Sequence, residues 1–244
     1  MAYPKGPAPA LPDRHGGALR VEAARCADDC SACVSVCPTT AIARKPGQPV
    51  ALDLGKCIFC AECVKACPSG AIVQTGKHPL AARRREDLVL GAPGREEVRL
   101  AEALDKKLLR LFGRSLRLRQ VSAGGCNACE ADTNVLGTIG WDLGRFGIQF
   151  VASPRHADGL LITGAVPKNM ELALKKTYDA VPEPKIVIAV GACAIAGGPF
   201  IGLPEIHNGA SAIVPVDLFI PGCPPHPLTI LDGLLRLLGR LAPE

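Results

Sequence analysis

A mainly parallel α/β sheet in the second half of the chain, preceded by a small cysteine-rich α+β unit, is the fold class that these 244 residues predict. Three observations carry it. From Ser115 onward, short apolar runs alternate with helical stretches, the pattern of strands joined by covering helices. Between Cys26 and Pro68 a four-cysteine pattern occurs twice. In the second half, each of the four cysteines lies in a loop that follows a strand candidate.

In chain order, residues 1–18 are rich in Pro, Gly and Ala and are expected to lack fixed structure. Residues 19–82 hold the repeat, in which Cys30, Cys33 and Cys37 recur thirty positions on as Cys60, Cys63 and Cys67. Only the first pair departs from this spacing, because Cys26 to Cys30 contains one residue more than Cys57 to Cys60. Val34, Val36, Ile42, Ile58, Phe59, Val64, Ile72 and Val73 are the expected small core. Residues 83–113 read as a linker. Within it, Val98, Ala101, Leu104, Leu108, Leu111 and Phe112 fit one face of a helix starting at Arg95 and ending at Gly113. That helix packs on its own domain, or docks on a partner or membrane through Lys106, Lys107, Arg110 and Arg114. Residues 114–244 form the α/β unit. Its expected strands are 116–121, 148–152, 159–163, 185–190 and 213–219, and its expected helices lie near 129–138, 168–181 and 227–240.

Composition narrows the function. No run approaches the roughly twenty apolar residues that span a bilayer, and the N-terminus lacks the apolar core of a signal peptide. The chain is therefore expected in the cytoplasm, where twelve cysteines point to metal rather than disulfides. Aromatic content of 4% argues against base stacking on nucleic acid. The net charge of +5 is concentrated between Arg83 and Arg119, which predicts a basic patch.

Cys126 and Cys129 sit three apart on a Gly-rich turn, a spacing that can grip one metal centre. A four-coordinate soft site needs two more thiolates. Cys193 and Cys223 are the remaining cysteines of this half, so one cluster at one end of the sheet is expected. Ligand sites in such sheets lie beyond the carboxyl ends of the strands. The Gly-Gly pairs at 124–125 and 197–198 lack a phosphate-binding motif and are read as room for the backbone to approach an inorganic core.

In the first half, Cys57-Ile-Phe-Cys60-Ala-Glu-Cys63-Val-Lys-Ala-Cys67-Pro68 has the spacing of bacterial two-cluster ferredoxins, in which the fourth cysteine serves the other cluster. Residues 20–80 resemble such a domain. The resemblance implies one [4Fe–4S] cluster on Cys26, Cys30, Cys33 and Cys67, and a second on Cys57, Cys60, Cys63 and Cys37. Two structural zinc sites are the competing use of these eight thiols.

Gly125-Cys-Asn-Ala-Cys-Glu130, Ala152 to Gly164, Gly191-Ala-Cys-Ala194 and Pro221-Gly-Cys-Pro-Pro225 resemble, in that order, the small subunits of membrane-associated, energy-converting [NiFe] hydrogenases. Formate hydrogenlyase is one of these, and the complex I subunit carrying the terminal cluster is related. The resemblance covers residues 114–240. It implies a flavodoxin-like fold, a proximal [4Fe–4S] cluster on Cys126, Cys129, Cys193 and Cys223, and three clusters in all. It also implies a large partner subunit bearing the active site, further membrane subunits, and an external electron donor or acceptor. Attachment would be peripheral, on the inner face of the cytoplasmic membrane.

Complex I subunits typically begin this motif with adjacent cysteines, so Cys126-Asn-Ala-Cys129 is of the hydrogenase type. The fused ferredoxin is a departure, since such ferredoxins are commonly separate subunits. A complex I-like module without nickel and a stand-alone carrier are the alternatives. Glu130 and Asp132 are proton-relay candidates, set against a simple helix N-terminal role. Arg155 and His156 are read as structural, and His226 as opening the last helix.

Overall fold

A computed structural model describes residues 3–12, 15–27, 29–45, 47–91 and 94–241. The N-terminal part is built from short pieces. Strand β1 (Leu19–Val21) is followed by α1 (Ala32–Ser35), β2 (Ile42–Ala43), β3 (Ala51–Asp53), α2 (Glu62–Ala66), β4 (Ile72–Gln74) and β5 (Val89–Leu90). β1 pairs antiparallel with β4, and β3 lies antiparallel between β2 and β5. Each cysteine run thus wraps a one-turn helix, and the strands fasten its two ends. Ile42 and Ile72 are buried as expected, but Val36 is 41% exposed at the end of α1. A helix this short has no second turn to bring that side chain back to the core.

The second part begins with α3 (Lys106–Phe112) and β6 (Leu116–Ser122). There follow α4 (Ala128–Val135), β7 (Ile148–Phe150), β8 (Gly159–Thr163), α5 (Lys168–Ala180), β9 (Ile186–Val190), α6 (Ala192–Ala196), β10 (Leu218–Ile220) and α7 (Pro227–Leu237). The sheet order is β10-β9-β8-β6-β7, with every pair parallel. Counted from β6 as the first strand, this is the flavodoxin-like order 2-1-3-4-5. β8 and β9 are buried along their whole length, which explains why they read as unbroken apolar runs. Leu118, Leu161 and Ile188 pack towards α7 on one face, while Leu160, Ile162 and Val187 pack towards Leu174 of α5 on the other.

Four expectations need correction. Residues 95–105 are not helical, and the helix begins at Lys106, where the Asp105 side chain accepts the N–H groups of Lys107 and Leu108. The preceding residues form an extended strap tied by backbone hydrogen bonds: Val21 N–H to Glu96 O, Ala101 N–H to Ala81 O and Leu104 N–H to Leu237 O. Val98, Ala101 and Leu104, three apart, are the residues this strap turns inward, so the spacing matched a helix face without a helix.

The stretch 83–113 is no free linker. β5 belongs to the N-terminal sheet, and Arg85 makes a two-pronged ion pair with Asp53, both contacts at 2.7 Å. Ala82 pairs antiparallel with Phe219, closing the open edge of β10. One core then runs through both parts, joining Leu52, Leu88 and Leu90 to Ala194, Ile195 and Phe219.

The last strand begins at Leu218 rather than 213: Ile213 and Val214 are tied back to the Ala210 carbonyl by the 3₁₀ turn at 210–212, and pairing with β9 starts only at Leu218. Finally, the N-terminal segment is anchored. The Tyr3 hydroxyl donates to Asp232 Oδ1 at 2.8 Å, and Arg145 donates to the Tyr3 carbonyl. Asp232 is only 1% exposed and is also bound by Arg236 at 2.8 Å. A buried carboxylate demands donors, and the tail supplies one. Among the described residues, no helix is long and apolar enough to cross a membrane.

Replacing Tyr3 by Phe removes that donor and should cost about 1 kcal/mol. The loss is expected as faster amide exchange in α7 and in residues 3–12, with the sheet unaffected.

Candidate metal centres

None of the twelve cysteines is in a disulfide. Their neighbours divide them into three groups. Cys33 lies within electrostatic reach of Cys26, Cys67 and Cys30. Cys57 has Cys63, Cys37 and Cys60 around it. Cys129 has Cys193, Cys223 and Cys126. The crossed partners, Cys37 and Cys67, follow α1 and α2, which pack on each other, so each helix ends beside the other run. A small cavity lined by Cys37, Cys57, Cys60 and Cys63 among Ile42, Leu52 and Ile58 marks the second group. Cys63 also feels Cys33, so the first two groups are neighbours.

The third group collects at the carboxyl end of the parallel sheet. Cys126 and Cys129 come from the turn after β6 and from α4, Cys193 from α6 after β9, and Cys223 from the loop after β10. β6 and β8 flank the point where the strand order reverses, the usual position of a ligand in this fold.

Burial pushes the thiols of Cys57 and Cys129 up to about 12, and those of Cys63 and Cys193 up to about 11, with neighbouring thiols adding to the effect. These buried sulfurs are thus uncomfortable as bare anions. A cationic inorganic core reverses that logic by binding each thiol as thiolate. Backbone N–H groups already point at sulfur: Ala41 to Cys37 at 3.2 Å, Phe59 to Cys57 at 3.3 Å and Ala71 to Cys67 at 3.2 Å. Among the described residues, no three His, Cys, Asp or Glu side chains are arranged to hold a single metal ion. Four thiols in each group match the four-cysteine donor set of an iron–sulfur core.

The backbone makes room for such a core. Gly191 has φ +91°, and a Cβ there would stand 2.5 Å from Cys129 Sγ. A Cβ on Gly198 would stand 2.7 Å from Cys193 Sγ. Gly124 and Gly125 approach Pro167 and Glu130 instead of sulfur. Ala61 and Asn127 each follow the first cysteine of a Cys-x-x-Cys pair, and both are left-handed, with φ of 62° and 71°. A left-handed residue entering a helix forms an anion-binding nest of N–H groups. Asn tolerates this conformation, which makes position 127 readable in hindsight, whereas Ala carries no such signal.

Glu130 is 6% exposed, and its Oε1 accepts from both Ser122 Oγ and Thr163 Oγ1 at 2.7 Å. Burial pushes its carboxyl up, but these two hydroxyls and a backbone N–H outweigh it and leave it below the ordinary value. Asp132 is pushed up by burial. It lines a cavity of about 240 Å³ with His15, Phe59, Pro225 and His226, where the second cysteine run meets the loop of Cys223. His226 accepts the Leu228 N–H on Nδ1 at 3.1 Å and so opens α7. Arg155 and His156 lie on a 3₁₀ turn before β8.

Residues 25–72 match the family described as the 4Fe-4S dicluster domain, and residues 126–237 match NADH ubiquinone oxidoreductase, 20 Kd subunit. Fold and cysteine groups together define an iron–sulfur oxidoreductase subunit. The probable membrane-bound hydrogenase subunit mbhJ of Pyrococcus furiosus is 43% identical over 136 residues, which cover 56% of this chain and 81% of that relative. Formate hydrogenlyase subunit 7 of Escherichia coli is 43% identical over 139 residues, 57% of this chain and 54% of that relative. Among solved structures, an archaeal membrane-bound sulfane sulfur reductase aligns at 32% identity and a TM-score of 0.48, covering 56% of this chain and 75% of that one. The chain belongs to the family of the 20 kDa NADH ubiquinone oxidoreductase subunit, with hydrogenase subunits among its relatives.

Two outcomes test the geometry. Cys37→Ser should remove the cluster of the Cys57 group, about four irons, while the cluster of the Cys26 group survives, as read by iron content and electron paramagnetic resonance. Gly191→Ala should abolish the third cluster alone, because the new methyl group occupies the approach to Cys129 Sγ.

Proposed function

We propose that the chain is an electron wire of three [4Fe–4S] clusters. Cys26, Cys30, Cys33 and Cys67 hold the first, Cys37, Cys57, Cys60 and Cys63 the second, and Cys126, Cys129, Cys193 and Cys223 the third. The clusters supply one-electron chemistry, while the protein sets their distance, burial and sulfur hydrogen bonds. Convergence of each four thiols from separate chain segments is the observation that carries this reading. The order is linear, since Cys63 neighbours Cys33 and Phe59 shares a cavity with the Cys223 loop. Residues 19–82, extended by the pairing of β5, form the ferredoxin unit, and 114–244 the unit that meets the active site.

That active site lies in a large partner subunit of a membrane-associated, energy-converting [NiFe]-hydrogenase complex, attached peripherally at the inner membrane face. The sequence of the second half and its hydrogenase relatives support this assignment. Phe200 and Leu203, 44% and 51% exposed a short turn beyond Cys193, offer an apolar surface for that partner. Glu130 or Asp132 acting as a proton relay is a further reading. Glu130→Gln with unchanged turnover and pH dependence removes Glu130 from it.

Anaerobic purification of the native complex tests the whole. About twelve irons per chain are expected for three cubes, and stoichiometric nickel identifies a hydrogenase. Iron without nickel favours a complex I-like module, and a stable monomer favours a stand-alone carrier. Zinc in the cysteine groups overturns the wire itself. Phe200→Glu should weaken partner association at least tenfold, measured by co-purification, while leaving iron content unchanged.

A further inference from the structure

The charged surface that electron transfer leaves unused lies on α3. At about 100° per residue, Lys106, Arg110, Arg114 and Lys107 fall in one strip roughly 100° wide. The Gly113 backbone is helical, with φ −63° and ψ −23°, and carries the strip on to Arg114. Leu108, Leu109 and Phe112 occupy the opposite side and pack on the core. Leu111 lies on the flank of the strip and is 52% exposed.

The carboxylates just before the helix in sequence are already committed. Glu102 pairs with Arg99 at 2.7 Å, and Asp105 caps the helix. Lys106, Lys107, Arg110 and Arg114 all stand exposed in solvent. The positive surface continues past the helix end. Arg240 donates to the carbonyls of Gly113 and Phe146, and with Lys5 and Arg145 it lines a cavity of about 430 Å³ beside that end. This face adjoins the amino end of β6, whereas the cysteine group of the second half gathers at the carboxyl ends of the strands. Contact here leaves the redox end free.

We propose that this face docks directly on an anionic phospholipid surface. Four exposed cations, with no ion pair to a carboxylate among the described residues, match the headgroup charge, and the exposed leucine at their edge is the apolar element that an interfacial layer accepts. A polyanionic nucleic acid backbone has no use for that leucine. The proposal does not depend on the cluster assignment, because lipid contact needs only the folded chain.

Sedimentation of the full, anaerobically reconstituted chain with vesicles tests it. Binding is expected to phosphatidylcholine vesicles containing phosphatidylglycerol, weakly or not at all to phosphatidylcholine alone, and to fall as salt rises. Neutralisation by K106Q/K107Q/R110Q should lower the affinity about 100-fold, from roughly fivefold per charge. Leu111→Ser should lower it a few-fold without changing the salt dependence. All four positions are exposed, and an unchanged unfolding profile with full iron content verifies that each variant folds. Equal binding to neutral and anionic vesicles, or full binding by the triple variant, overturns the proposal. Loss of partner co-purification by the triple variant, with no vesicle binding by the parent chain, assigns the face to an acidic protein and equally overturns it.

Discussion

Four sulfurs must meet at a point to which no single stretch of chain can bring them, and nearly everything else in the molecule follows from that demand. Cys37 leaves its own run to join Cys57, Cys60 and Cys63, and Cys67 crosses the other way. The third group is drawn from loops after three strands of one sheet. Burial and neighbouring thiols make Cys33, Cys57, Cys63, Cys129, Cys193 and Cys223 reluctant to ionise there, a cost that a cationic core would offset. The N–H groups aimed at sulfur and the glycines that keep side chains away from it serve the same end.

Electron transfer also demands fixed distances between groups, and the packing supplies contacts to both parts where a linker with an amphipathic helix was expected. The pairing of Ala82 with Phe219, the strap over residues 95–105 and the core shared by Leu88, Leu90, Ala194 and Phe219 bind the two parts into one body. Each device also solves a local problem, whether an open sheet edge, a set of unpaired backbone groups or an exposed apolar surface. The buried Asp232 does likewise for the N-terminal segment, since it needs the Tyr3 hydroxyl as well as Arg236.

Elements whose pattern has one physical meaning were legible before folding. β8 and β9 are long apolar runs bounded by Gly and Pro, and no exposed element can have that composition. The strap at 95–105 was misread because its inward residues, Val98, Ala101 and Leu104, fall three apart, a spacing that a helix face also gives. Pairing partners far away in the chain, Ala81 and Leu237 among them, decided between the two. Val36 was misread because its helix ends one turn too soon.

Cysteine spacing and the alternation of apolar runs are local properties, and by themselves they determined the ferredoxin-like repeat, the parallel sheet and the candidate ligands. Which sulfurs share a group within reach of one another, the left-handed turns at Ala61 and Asn127, and the fusion of both parts over one core were decided only by tertiary structure. The reason is physical: spacing constrains what a segment can reach, while the partner it meets depends on how distant segments close the remaining hydrogen bonds and fill the remaining volume.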